Sequence, residues 1–264
     1  MNFLRRRRVW ITTPVLLAVF IFFWDLYCRV SGIHPFIVPR PGAVLDQYLT
    51  MVQTRALWEH SWITVFETTV GFFFACVIGI GGGAILGKVR WLEEAMRPFV
   101  IATQVIPKIA LVSLFILWFG FGPEPKILVS TVLAFFPILT NTLLGVKSVD
   151  LGHKDVMKSL NASRWQTWRM LELPSSMPAI IAGLEVGVVL AYIGAIVGEF
   201  AGGTKGLGYL TLEYQNGFNA PGLFGVLIQL TIIGFALYLL ILGLRRSLIP
   251  WHESVLVERP AVPA

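Results

Sequence analysis

Six stretches of this chain, at about 9–27, 62–87, 99–119, 126–146, 177–198 and 222–244, approach the roughly 20 predominantly apolar residues that a membrane-crossing helix requires. Composition points the same way. Of 264 residues, 56% are hydrophobic and 14% are charged, whereas soluble domains carry about 25% charged residues. Mean hydropathy is +0.74. The expected fold is therefore all-α: a polytopic membrane protein with about six transmembrane helices in a single domain over residues 1–264. The second stretch is long enough to tilt or project. The third contains Pro107 and Lys108, a pair that interrupts a regular helix.

A net charge of +6 would direct a soluble protein toward nucleic acid. Here the basic residues gather at the ends of the apolar stretches, so the charge concerns orientation in a lipid bilayer, and no nucleic-acid partner is expected. With the N-terminus inside, the inner segments hold Arg5 to Arg8, then Lys88, Arg90 and Arg97, then Lys147, Lys154, Lys158, Arg164 and Arg169, then Arg245, Arg246 and Arg259. Arg29, Arg40, Arg55, Lys126 and Lys205 then fall outside, and Lys108 within a span. This asymmetry favours both termini in the cytoplasm. It gives a basic N-terminus at 1–8, a cytoplasmic segment at 148–174 between the fourth and fifth spans, and a cytoplasmic tail at 245–264.

The opening residues have the basic head and apolar body of a signal peptide, but bulky Phe22, Phe23, Trp24 and Tyr27 occupy the region of a cleavage site, which favours an uncleaved first helix. Outside, Pro35, Pro39 and Pro41 suggest an extended lead-in to an interfacial helix. The stretch EFAGGTKGLGYLTLEYQNGFNAPG is rich in glycine and aromatic residues and does not resemble a separate domain.

Enzyme chemistry finds little support. Cys28 and Cys76 have no ligand-like spacing to His34, His60, His153 or His252, so no metal site is expected. In GGAILGKV, Gly82, Gly87 and Lys88 have phosphate-loop spacing, but Val89 replaces the metal-binding hydroxyl and no strand precedes it. No catalytic residue is assigned, and no cofactor is expected on this chain.

Residues 148–174 break the apolar pattern. Asp150 is placed to cap a short helix carrying Val156, Met157 and Leu160 on one side. Asn161 falls where a left-handed residue ends that helix. Ser163 and Gln166 have capping-box spacing for a second helix, expected to stop near Leu173 because Pro174 restricts the residue before it. By local structure alone, this is helix, tight turn, helix: either a solvated connector or a docking hairpin.

Asp155 to Gln166, followed by Leu173-Pro174, resembles the cytoplasmic loop of permease subunits in binding-protein-dependent ABC importers. In that family a Glu-Ala-Ala triplet, a glycine six residues after the glutamate and a downstream Leu-Pro mark coupling helices that dock on ATPase subunits. Here the triplet reads Asp155-Val156-Met157 and the glycine is Asn161. HPFIVPRPGAVL, VIPKIALVSLFILWFGFGPEPKI, FFPILTNTLLGVKSVD and GLGYL are similar, in order, to the branch that handles sulfonates, nitrate, taurine and pyrimidine precursors.

The resemblance implies the permease subunit of an ATP-driven importer in the bacterial inner membrane, not an enzyme. It implies a second permease copy as a homodimer, two ATP-binding subunits that hold ATP and Mg, and an extracytoplasmic solute-binding protein. It places ATPase docking on Lys154, Asp155, Val156, Met157, Lys158, Leu160, Asn161, Ala162, Ser163, Arg164 and Trp165. An ion-gradient-driven carrier is the alternative, disfavoured by the absence of a recognisable inverted repeat and by few intramembrane acids.

Charge within a span is costly and faces a cavity or partner, which makes Lys108, Glu185 and Glu199 pore or gate candidates. Lys108 and Glu185 read either as an internal pair or snorkelling groups, or as path lining. Glu199 is expected near the outer end. Small residues recur every fourth position at Gly71, Ala75, Gly79, Gly83 and Gly87, and again at Gly183, Gly187, Ala191 and Ala195. Such stripes let another backbone approach closely, within the subunit or at a subunit interface.

Overall fold

The computed structural model describes residues 2–251; the side chains before Thr12, Arg5 to Arg8 among them, and the tail with Arg259 lie outside the described residues. A chain this apolar must satisfy its peptide groups internally, and helices do so within each segment. The helices are α1 (Asn2–Val30), α2 (Pro41–Val52), α3 (Arg55–Lys88), α4 (Arg90–Val105), α5 (Leu111–Phe119), α6 (Glu124–Lys147), α7 (Leu151–Ser159), α8 (Arg164–Thr167), α9 (Leu173–Gly202), α10 (Leu207–Asn216) and α11 (Ala220–Leu248). A 3₁₀ turn at Lys108–Ala110 precedes α5, and a π turn at Trp168–Glu172 joins α8 to α9. Five helical rods among the described residues are long and apolar enough to cross a membrane, with a sixth if the bent α4–α5 pair counts as one span.

α6 lies between α3 and α9, and both small-residue stripes face it. A Cβ added at Gly83 would sit 2.6 Å from the Leu139 carbonyl, and one at Gly194 would sit 2.7 Å from the Ser130 Cα. Gly79 faces Ile138, Gly87 faces Val146, Gly183 faces Asn141 and the Pro137 carbonyl, and Gly187 faces Ile138. Helices in lipid associate by this kind of backbone-to-backbone packing, because lipid tails are as apolar as the helices. Ala75, Ala134, Ile138, Leu184, Val188 and Ala191 fill the shared core.

The outer helices attach through fewer, more polar contacts. Tyr192 Oη donates to the Leu230 carbonyl at 2.7 Å, tying α9 to α11. Gln229 Nε2 donates to Ser61 Oγ at 3.1 Å and its Oε1 accepts from Tyr48 Oη at 2.9 Å, joining α11 to α3 and α2. Burial raises the Tyr48 hydroxyl above its usual range, so it remains a donor.

The structure adds detail at three places. The stretch at 99–119 is a broken element bent by 78°: Ile106 is extended, as the residue before a proline prefers, and Pro107 lacks the N–H that would continue the ladder. Lys126, counted among the outer basic residues, lies in the first turn of α6 and is buried, 4% exposed. The glycine- and aromatic-rich segment after α9 forms α10, whose Leu207 and Leu210 are buried with Met51, Leu57 and Val226.

Substituting Gly83 or Gly194 by leucine is expected to destabilise the bundle by about 1–3 kcal/mol or more through overpacking, read as a lowered thermal midpoint in detergent. The exposed Gly81, where a Cβ meets nothing, is the control and should tolerate alanine.

Candidate functional site

The hairpin at 148–174 is built from local hydrogen bonds. Asp150 Oδ1 accepts from Gly152 N at 2.7 Å and His153 N at 3.3 Å, capping α7. Asn161 has φ +50°, a left-handed conformation that asparagine tolerates better than most residues. Ser163 Oγ accepts from Gln166 N at 3.2 Å while Gln166 Oε1 accepts from Ser163 N at 2.7 Å, closing the capping box. Neither α7 nor α8 buries a residue: Val156, Leu160 and Trp165 are exposed. Met157 and Ala162 are half-buried, and Lys158 pairs with Asp155 at 2.8 Å in solvent.

The second helix does not stop at Leu173. Arg164 to Gly202 is one helical rod, carried past Pro174 by the π turn, in which Leu173 N donates to the Trp168 carbonyl. A π turn shifts the hydrogen-bond register by one residue, so Pro174, near the start of α9, needs no N–H.

The hairpin seats on the bundle through charge. Glu172 accepts ion pairs from Lys88 at 3.0 Å and Lys154 at 3.6 Å, and the Lys88 ammonium lies 3.8 Å from the centre of the Trp168 ring. A cavity of about 650 Å³ opens here, with Lys88, Lys154, Arg164 and Glu172 on its wall beside the apolar Val89 and Val146. Nearby, Lys147 pairs with Glu93 at 2.7 Å, joining the start of α4 to the end of α6.

The structure does not bring Lys108 and Glu185 together. Glu185 pairs with Arg245 of α11 at 3.3 Å, both side chains about four-fifths buried. The Lys108 ammonium lies 5.0 Å from the centre of the Phe136 ring, where the α4–α5 element breaks.

Glu199 belongs to a buried group at the end of the bundle opposite the hairpin. Its Oε1 accepts from Thr64 Oγ at 2.7 Å and its Oε2 from Gly208 N at 2.6 Å. Leu207 N donates to Thr64 Oγ at 2.8 Å, and Gly206 N donates to His60 Nδ1 at 2.9 Å. One turn along α3, Glu67 pairs with Lys126 at 3.1 Å, the two side chains 1% and 5% exposed. The other Glu67 oxygen is buried without a hydrogen-bond partner among the described residues. His60, Thr64, Glu67 and Lys126 were not among the sequence candidates. His60, Thr64 and Glu67 follow helical spacing on one face of an otherwise apolar helix, a signal that could have marked them.

Residues 77–252 match the family of binding-protein-dependent transport system inner membrane components. The chain is 36% identical over 241 residues to the riboflavin transport system permease protein RibX of Chloroflexus aurantiacus, covering 91% of this chain and 90% of that one. It is 31% identical over 231 residues to the formylaminopyrimidine transport permease protein ThiX of Halalkalibacterium halodurans, covering 88% and 92%. In fold it is similar to a chain of the inward-facing MetNI methionine ABC transporter, with a TM-score of 0.63 and 22% identity over 71% of this chain and 93% of that one.

Removing one member of the buried Glu67–Lys126 pair leaves an uncompensated charge, at a cost of about 3–5 kcal/mol. Lys126→Met should lower the thermal midpoint in detergent sharply, and Glu67→Gln/Lys126→Met should recover most of the loss, a non-additive cycle that registers direct coupling. In the hairpin, Asn161→Gly should be neutral, whereas Asn161→Val should cost about 1–2 kcal/mol through left-handed strain, read as faster proteolysis between α7 and α8.

Proposed function

Because this chain belongs to the family of binding-protein-dependent transport system inner membrane components, and is thus a multi-pass permease of ATP-driven solute import, we propose that two copies form one path across the membrane. The hairpin carries this reading: Val156, Leu160 and Trp165 are exposed on a capped unit, covered by none of the described residues. Isolated exposed apolar residues are common, but three on one capped hairpin suit a protein contact.

The hairpin, at the basic end of the bundle, docks on an ATP-binding subunit in the cytoplasm, and both termini lie on that side. Lys154, Asp155, Lys158 and Arg164 surround the apolar contacts with charge and set the register of docking. ATP and Mg are held by that partner, which performs hydrolysis. A solute-binding protein delivers cargo at the opposite end, beside α10. The path passes the Lys108 break and the Glu185–Arg245 pair, where polar groups interrupt the apolar interior. RibX and ThiX carry riboflavin and formylaminopyrimidine in their names, which supports a small heteroaromatic vitamin or vitamin precursor as the solute.

The test is reconstitution in liposomes with the candidate ATPase and binding protein. Uptake of riboflavin or formylaminopyrimidine should require ATP and the binding protein; uptake driven by a proton or sodium gradient without ATP would overturn the proposal. Asp155→Ala and Arg164→Ala should leave assembly intact and reduce the ratio of solute transported to ATP hydrolysed. Lys108→Ala and Glu185→Ala should change uptake at unchanged expression.

A further inference from the structure

α10 is a ten-residue helix with glycine at both ends: Gly202 and Gly203 precede it, Gly206 at its start has φ +108°, and Gly217 follows, then Phe218 at φ +52°. Its apolar side rests in the bundle, and among the described residues the side chains of other helices that hydrogen-bond its backbone gather at its N-terminal end. The first N–H groups of a helix have no partner within it. Here those of Gly206, Leu207 and Gly208 go to three side chains from two other helices: His60 and Thr64 on α3, and Glu199 on α9. Thr64 links the set, since its hydroxyl accepts from Leu207 and donates to Glu199. His60 Nδ1 lies 2.9 Å from Gly206 N and 3.1 Å from the Gly206 carbonyl oxygen, so in either tautomer it holds this residue's backbone, accepting from the N–H or donating to the carbonyl, and the imidazole lies against Tyr209 at 6.0 Å between ring centres. Glycine at 208 permits this approach, because a Cβ there would sit 2.6 Å from the Ile196 carbonyl.

We propose that His60, Thr64 and Glu199 are positioning residues that latch α10 across the outer end of the path, and that opening this end requires the latch to release. The inference rests on the importer reading, which sets this end outside. The three acceptors come from two different helices, so any sliding of α9 along α3 breaks the set together. α9 is also the rod that begins in the hairpin, so displacement there moves Glu199 relative to Thr64. The glycines on either side let α10 swing once freed, without remodelling either long helix.

Thr64→Val keeps the shape and removes the linking hydroxyl, and Thr64→Ser retains it. In the full reconstituted assembly, hydrogen exchange at Gly206, Leu207 and Gly208 should accelerate about tenfold in Thr64→Val, as loss of a buried hydrogen bond implies, and stay at the wild-type rate in Thr64→Ser. ATP hydrolysis without the binding protein should rise about as much in Thr64→Val alone, as the population released from the latch grows. Unchanged exchange overturns the latch; faster exchange with unchanged or lower basal hydrolysis assigns these residues to structure only and overturns it too. The importer reading fails separately, as the absence of ATP-driven uptake by the wild-type assembly.

Discussion

Close backbone contact between α6 and its two neighbours is the constraint on which this molecule depends. Lipid offers no hydrophobic drive toward helix association, so cohesion must come from van der Waals contact and a few buried polar bonds. Glycine and alanine supply that contact on α3 and α9, where larger residues would hold the rods apart. The small residues serve one subunit's interior, and the bulkier Phe73, Val77 and Ile78 of α3 are left on the outside. The remaining polar groups are placed by this packing: at one end the Glu172 cluster under the hairpin, at the other the Glu67–Lys126 pair and the Glu199 network.

The periphery is held differently. α4 buries no residue, and an apolar cavity of about 430 Å³ separates part of it from α3 and α6, lined by Ile78, Leu92, Met96, Phe99, Phe136 and Leu139. The tight α3–α6–α9 unit and the looser α4–α5 element therefore differ in how much motion their packing permits. A permease has use for both: a unit that keeps its shape, and an element that can adjust as the path changes the side it faces.

The helices themselves were legible in the sequence because apolar length and fourfold spacing are properties of continuous segments. The hairpin was legible for the same reason: Asp150, Asn161, Ser163 and Gln166 act on residues two or three positions away, and each takes the role its chemistry dictates. Groups whose partners are distant in sequence escaped. Lys126 reads as a loop charge until Glu67, from another helix, is beside it. Glu185 finds Arg245 rather than Lys108 because the bend at Pro107 carries Lys108 to Phe136. Pro174 restricts Leu173 before it and so signals the end of the preceding helix, yet a π turn absorbs it and the rod continues.

That π turn has a mechanical consequence. From Arg164 to Gly202 the chain runs for 39 residues without a loop, roughly 58 Å at the rise of an ideal helix, nearly twice the thickness of a bilayer's hydrocarbon core. Its near end carries the exposed hairpin surface and its far end carries Glu199. The chain has in effect a single shaft, seated along α6 and jointed once close to the hairpin. Stiff backbone with one joint at Trp168–Glu172, rather than a relay of side chains, is what connects the hairpin end of the molecule to the Glu199 end.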